Sequence, residues 1–358
     1  MTKMKLAASK PGDAHEVRII ISAFRAERTI RQCVDAIVSS EIKADYELVV
    51  VDDCGNENLA VALAGLPVTI ISTGGSGSAA VARNQGAKGF SGRYIIFIDA
   101  DVLVLPHCVE RLLAPLRSGQ ADATVGNYSR DVDGLSFAAR YKQLYIARVH
   151  DRRRGYLKNF WTAIGAIDAP LFQAFGGFDT AFKGANGEDA ELGYRLSEKG
   201  YRILAVSNAL GQHRHLFTLR RIILNDWRKG IGAMEHYYRS SGPMSDNYHA
   251  TKRDQAAVAL AVLALGLPIL MFLASASLAQ SALAALACST VYLALRSDII
   301  AGFLPQGAGF VMFAVGVMFL LDLVRCACAT TGPCLRVAIW PIARALRSGR
   351  TINVLGDV

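Results

Sequence analysis

With 358 residues, the chain has room for one α/β unit of about 200 to 250 residues and an appendage. Its net charge is +9, but no helix-turn-helix, finger or aromatic-basic sheet motif accompanies the charge, which excludes nucleic acid and leaves an anionic lipid surface as the partner. The seven cysteines include no CxxC pair, so neither a zinc site nor a disulfide framework is expected.

In chain order, residues 1–15 carry lysines without an apolar core of signal-peptide length and are read as disordered, so nothing in them directs the following domain out of the cytosol. Residues 17–22 (VRIIIS) and 47–51 (ELVVV) are short β-branched runs ending in polar residues, with a helical pattern over 29–40 between them. That order predicts a βαβ unit with buried parallel strands. The strand signal returns at 68–72 (VTIIS), and a helix over 79–90 leads into 93–98 (RYIIFI). Such alternation predicts a doubly wound, mostly parallel sheet, in which ligands bind beyond the carboxyl ends of the strands. A less regular part follows: a basic stretch over 148–158, a glycine-dense segment over 176–187, a helix over 190–199 and a short strand over 201–206. With no linker among them, one α/β domain over 16–215 is expected.

Residues 216–253 form a basic helical segment with Arg220, Arg221, Trp227, Arg228 and Lys229. It reads either as a helix lying on anionic headgroups or as an ordinary basic surface helix. From Gln255 no charge occurs before Arg296, a run that suits two bilayer crossings of roughly 20 residues each. Ser275, Ser277, Gln280 and Ser281 mark the turn between them. A further uncharged run between Asp298 and Asp322 is interrupted by Gly302, Pro305, Gly307 and Gly309, so one more helix is expected over about 309–324, spanning or re-entrant. Residues 254–325 are thus assigned to two or three transmembrane helices, and 326–358 to a basic tail with an interfacial helix as an option. Lys252 and Arg253 ahead of the first crossing put the α/β domain on the cytoplasmic face of a multi-pass inner-membrane protein. Three crossings would place Arg336, Arg344, Arg347 and Arg350 on the far side, against the same rule.

Four places carry chemistry. Asp52 and Asp53 directly follow ELVVV, and Asp99, Ala100 and Asp101 follow RYIIFI, so both acidic pairs converge on one crevice. An Asp-x-Asp at a strand end suits Mg²⁺ or Mn²⁺ shared with a diphosphate; a turn or helix cap is the alternative for either pair alone. Arg83, on the helix before the second strand end, suits a phosphate or the nearby carboxylates. The loop over 73–78 (TGGSGS) lacks the Lys-Ser/Thr ending of a triphosphate loop and is read as a flexible connector. Glu188 and Asp189 begin a helix, where capping competes with a role for one carboxylate as general base. His213 and His215, after the last strand, are candidates to complete a metal shell, with packing as the alternative.

The ordered set Ser22-Ala23-Phe24, Val51-Asp52-Asp53-Cys54, Ala82-Arg83-Asn84-x-Gly86, Asp99-Ala100-Asp101, Gly176-Gly177-Phe178-Asp179 and Gly187-Glu188-Asp189-x-Glu191-Leu192-x-x-Arg195-Leu196 resembles the family-2 glycosyltransferases over about residues 16–220. The resemblance implies a GT-A fold, a nucleoside-diphosphate sugar donor, a divalent metal (Mn²⁺ or Mg²⁺) and inversion at the anomeric carbon. In the family pattern Ala23, Phe24, Asp52 and Asp53 contact the base and ribose, and Arg83 the donor. Asp99, Ala100 and Asp101 serve ribose and metal, with Asp101 joined by His213 or His215; Asp189 is the base and Glu188 holds the acceptor. Two departures stand out: Ala23-Phe24-Arg25 replaces the usual proline-Tyr-Asn, and the Gln-x-x-Arg-Trp of processive synthases is only loosely matched by 225–230 (NDWRKG). Together with the hydrophobic helices, this implies transfer to a hydroxyl of a lipid-linked or membrane acceptor. Two rivals are a transferase acting on a polyprenyl phosphate, which needs no base, and a non-catalytic nucleotide-binding membrane scaffold. The Glu188-Asp189 pair argues against the first, and intact Asp99, Asp101 and Asp189 against the second.

Overall fold

The computed structural model describes residues 15–347 apart from 55–56, 153, 183, 185–186, 215–216 and 240–250. The segment expected to be disordered, save His15, lies outside the described residues, as do His215 and Arg350.

The first half winds as the hydrophobic pattern dictates: β1 (Val17–Ala23), α1 (Ile30–Val38), β2 (Tyr46–Asp52), α2 (Glu57–Ala62), β3 (Thr69–Ser72), α3 (Ala79–Ala87) and β4 (Tyr94–Asp99). β3, β2, β1 and β4 lie side by side and run parallel. Alternate strand residues serve opposite faces. Ile19 and Ile21 pack with Ile30, Val34 and Ile37 of α1, while Ile20 joins Val49, Phe97 and the helices of the other face. Each of these isoleucines is fully buried, contributing roughly 1.5–3 kcal/mol. The register sets Ala23 opposite Asp52 and Ser22 opposite Asp99, so the strands end level and both acidic pairs open at one edge.

β5 (Val102–Val104), α4 (Cys108–Arg117), β6 (Ala123–Tyr128), α5 (Phe137–Asp151), β7 (Tyr156–Leu157), β8 (Ile164–Asp168), α6 (Ala169–Ala174), α7 (Glu188–Glu198) and β9 (Ile203–His213) complete the domain. β8 inserts between β4 and β6, antiparallel to both, and β9 runs parallel to β6. The resulting order is β3-β2-β1-β4-β8-β6-β9-β5, with β7 also on β9. β9 outlasts the short strand expected from residue 201, and its last residue, His213, pairs with Val102 beside the Asp-x-Asp.

Among the described residues four α-helices follow: α8 (Leu219–Arg239), α9 (Lys252–Leu273), α10 (Leu278–Phe303) and α11 (Ala308–Arg347). Among the described residues three stretches, Lys252–Leu273, Leu278–Gln306 and Ala308–Cys328, are long and apolar enough to cross a membrane. The turn expected at the serines is there: Ser277 caps α10 in a reciprocal capping box with Gln280.

Candidate active site

Asp52 and Asp53 leave β2 buried and already engaged. Asp52 accepts the Cys54 amide at 2.9 Å in an Asx turn. Asp53 donates its own amide to the Ala23 carbonyl at 2.9 Å, and its Oδ1 accepts from Thr73 Oγ1, the Ser76 amide and Ser76 Oγ at 2.5, 3.0 and 2.5 Å. The loop over 73–78 is therefore a built structure, not the connector its composition suggested. Ser78 also bridges to Gly184 and donates to the Phe182 carbonyl at 2.9 Å. Ala23 turns its side chain into the core, whereas Phe24 is 56% exposed with the Arg25 guanidinium 5.3 Å from its ring centre.

α3 explains its own motif. A Cβ at Gly86 would meet Ile20 Cγ2 at 2.6 Å, so this glycine lets the helix lie flat on the sheet. Asn84 Nδ2 donates to the Phe178 carbonyl at 2.8 Å, and Asn84 Oδ1 accepts the Phe178 amide at 2.9 Å, pinning the turn in which Gly177 has φ +70. Arg83 is 4% exposed and clasps two carboxylates: Nη1 donates to Glu188 Oε1 at 2.5 Å and Nη2 to Asp99 Oδ1 at 2.9 Å. Glu188, expected to hold the acceptor, is thus 2% exposed and committed to Arg83.

Asp189 is the next residue on α7, and its surroundings differ. Oδ1 accepts the Ala190 amide at 2.8 Å, and Oδ2 faces the amide and hydroxyl of Thr162 at 3.4 Å each. Burial pushes its carboxyl up, the adjacent Glu188 charge adds to the rise and Arg83 opposes it, leaving the pKa at about 6 against the ordinary 3.8. A carboxylate poised there accepts a proton at neutral pH far more readily than an exposed one.

Asp101 and His213 meet across the β5–β9 pairing, with Nε2 3.3 Å from Oδ2. The imidazole is stacked on Tyr128 at 5.0 Å and lies 5.4 Å from the Phe217 ring, so its direction is fixed. Gln143 of α5 accepts the His213 amide at 3.0 Å. Among the described residues no three His, Cys, Asp or Glu side chains gather as a metal-binding group. One carboxylate and one imidazole nonetheless fit a cation that takes its other ligands from phosphate and water, as Mg²⁺ and Mn²⁺ do. The structure therefore brings Arg83, Asp99 and Glu188 into one ion-paired set with Asp189 beside it, and sets His213 next to Asp101. Thr162, Tyr128 and Gln143 were missed, because residues 102–170 carry no motif and these side chains read as ordinary polar or aromatic positions.

Residues 18–174 match the family model for Glycosyl transferase family 2. Glycosyltransferase GlyA of Streptococcus pneumoniae is 26% identical over 235 residues, covering 60% of this chain and 33% of that protein. UDP-Glc:alpha-D-GlcNAc-diphosphoundecaprenol beta-1,3-glucosyltransferase WfgD of Escherichia coli is 27% identical over 119 residues, covering 32% of this chain and 47% of its own. The chain thus spans less than half the length of these curated relatives. Mannosyltransferase PcManGT from Pyrobaculum calidifontis, solved with GDP-Man and Mn²⁺, aligns over 91% of this chain and 89% of its own with a TM-score of 0.53 at 17% identity, a likeness of fold. Residues 18–174 thus resemble glycosyl transferase family 2, the fold is of the GT-A kind, and among the described residues three apolar helices that follow are long enough to cross a membrane.

Proposed function

We propose that this protein transfers a sugar from a nucleoside-diphosphate donor, with inversion, to a hydroxyl of a lipid-linked or membrane acceptor. The observation that carries the reading is Asp189: a carboxylate with a pKa of about 6, beside an arginine clasped by Asp99 and Glu188. In this reading Phe24 and Asp52 border the base and ribose, and Asp53 shapes the loop that faces them. Arg83 holds the donor, its guanidinium oriented by Glu188. Asp101 and His213 would hold a divalent cation, which when bound supplies charge neutralisation for the diphosphate.

Asp189 takes the proton of the acceptor hydroxyl while the oxygen forms its bond to the anomeric carbon. The bond from that carbon to the diphosphate breaks on the opposite face, and the diphosphate leaves with the electron pair. Thr162 keeps the accepting oxygen in place and Glu188 acts through Arg83, a positioning role in place of the acceptor contact expected from the family pattern. Apolar helices adjoining the domain favour a membrane acceptor, because attachment raises the local concentration of a lipid substrate. Lys252 and Arg253 at the start of α9 support a catalytic domain on the cytoplasmic face of the inner membrane.

Donor binding tests the site directly. Titrating the full chain in detergent with nucleoside diphosphates and Mn²⁺ should give saturable binding that Asp101→Asn weakens at least tenfold without lowering the melting temperature. Equal affinity in both proteins would remove Asp101 from the donor site.

A further inference from the structure

α11 is apolar enough to cross a bilayer, but both ends of its apolar stretch rest on the catalytic domain. At its start, the rings of Phe310 and Phe313 lie 5.7 and 5.6 Å from that of Phe137, the first residue of α5. Fifteen residues later, Arg325 donates to Tyr145 Oη of the same helix at 3.1 Å and pairs with Asp226 of α8 at 2.8 Å. Asp226 in turn holds Lys142 of α5 at 2.7 Å. Just beyond, Cys328 sits where a Cβ on Gly230 of α8 would come within 2.8 Å of its Sγ.

α5 is itself bound to the sheet. Gln143 Nε2 donates to the carbonyls of Ser129 and Asp131 at 2.8 and 2.6 Å, and Asn127 Nδ2 donates to the Ala147 carbonyl at 3.1 Å. A helix that touches α5 near Phe310 and again at Arg325 advances only about 22 Å between those contacts, less than the ~30 Å of hydrocarbon a crossing requires.

α9 and α10 behave differently. Arg296 near the end of α10 pairs with Asp254 in the first turn of α9 at 2.5 Å and with Asp322 of α11 at 2.8 Å. Arg152, one residue past α5, pairs with Asp254 at 3.0 Å and with Asp298. The start of α9 and the end of α10 therefore meet at the catalytic domain, and the turn over 274–277 lies at the opposite end of the hairpin. Only 17% and 11% of their apolar windows are buried, against 33% for α11. The face that α11 leaves open is apolar at four-residue spacing: Met312, 75% exposed, then Gly316 and Leu320. Arg220, Arg221, Arg228 and Lys229 of α8 and Lys252 and Arg253 of α9 stand exposed around the same junction.

From these contacts we infer that residues 308–328 form an in-plane helix seated in the anionic leaflet that faces the catalytic domain. Met312 and Leu320 turn to lipid, and Asp322 and Arg325 sit at the headgroup level. The region from 252 to 347 then crosses the bilayer twice, through α9 and α10, and the chain after α11 stays on the catalytic side. This removes the conflict with the positive-inside rule that three crossings create through Arg336, Arg344 and Arg347 of the sequence. It also spares Asp322 and Arg325 the cost of ionised groups at bilayer depth, and the exposed cations complement anionic headgroups.

The test uses the full chain in right-side-out and inverted membrane vesicles. Protease-cleavable tags added at each end should be cut from the same side, and a membrane-impermeant thiol reagent should label Ala274→Cys, above the wild-type background, from the other. A C-terminal tag cut from the side opposite the N-terminal tag, or Ala274→Cys labelled from the N-terminal side, would overturn the inference. Depth is a second reading: in vesicles of brominated lipids, the fluorescence added by Met312→Trp should be quenched more by bromine near the headgroup end of the acyl chain than by bromine near its terminus. The reverse order would put α11 at the midplane and refute an in-plane helix.

Discussion

Replacing Asp189 by Asn removes a charge and keeps the shape, and the site's electrostatics then set two readouts of opposite sign. Burial and Glu188 hold the folded pKa at about 6 against 3.8, roughly two units, and each unit is worth about 1.4 kcal/mol. The unfolded chain releases this proton near 3.8 while the folded chain keeps it to about 6. Ionisation therefore costs stability as pH rises through that window, and the full cost stands above it. Partial exposure of Asp189 trims the full cost to about 2 kcal/mol, of which roughly half is present near pH 5. Thermal melts of the solubilised full chain should accordingly show Asp189→Asn gaining about 1 kcal/mol more relative to wild type near pH 8 than near pH 5. Turnover moves the other way. A positioned base contributes about 10² to 10⁴ in rate, so the variant should lose at least about a hundredfold in kcat with donor affinity nearly unchanged. The wild-type rate should rise with pH through about 6 and then level off. A pH-independent stability difference together with unaltered turnover would refute the assignment and favour transfer to a phosphate, which is already a nucleophile.

Other residues give distinct signatures. Glu188→Gln leaves the Arg83 guanidinium with one weakened partner, so the donor's KM should rise several-fold in steady-state kinetics while the optimum pH shifts downward as the charge beside Asp189 disappears. Asn84→Ala removes both hydrogen bonds to Phe178 and should lower stability by about 1–3 kcal/mol, read as a lower melting temperature. Asp53→Ala takes away three bonds from the loop over 73–78, and limited proteolysis should then cut within that loop faster than in wild type.

The parallel half of the fold was legible because β1, β2 and β4 are buried on both faces and read as unbroken β-branched runs. The antiparallel insertion of β8 was not. Its segment, IGAID, is short and small, and its pairing is decided by distant contacts. Among site residues, Arg83 and the two acidic pairs announced themselves by standing at strand ends and on the intervening helix. Glu188 and Asp189 could not be told apart by position. Their surroundings differ through what packs against them, a buried guanidinium for one and Thr162 for the other. Asp53 likewise looked identical to its neighbour Asp52, and only folding reveals that it is committed to Thr73 and Ser76. For α11, hydropathy records the apolar face, while the ion pairs of Asp322 and Arg325 come from two other helices, α10 and α8, that no local pattern connects to it.

The central claim is sugar transfer to a membrane acceptor with Asp189 as base. Membranes containing the full chain, incubated with sugar-labelled nucleoside-diphosphate donors and Mn²⁺, should release nucleoside diphosphate and carry label into an organic-extractable product, and the Asp189→Asn chain should do neither above background. Label that stays in the donor for every nucleotide-sugar offered, or that reaches the lipid fraction equally with Asp189→Asn, would contradict it.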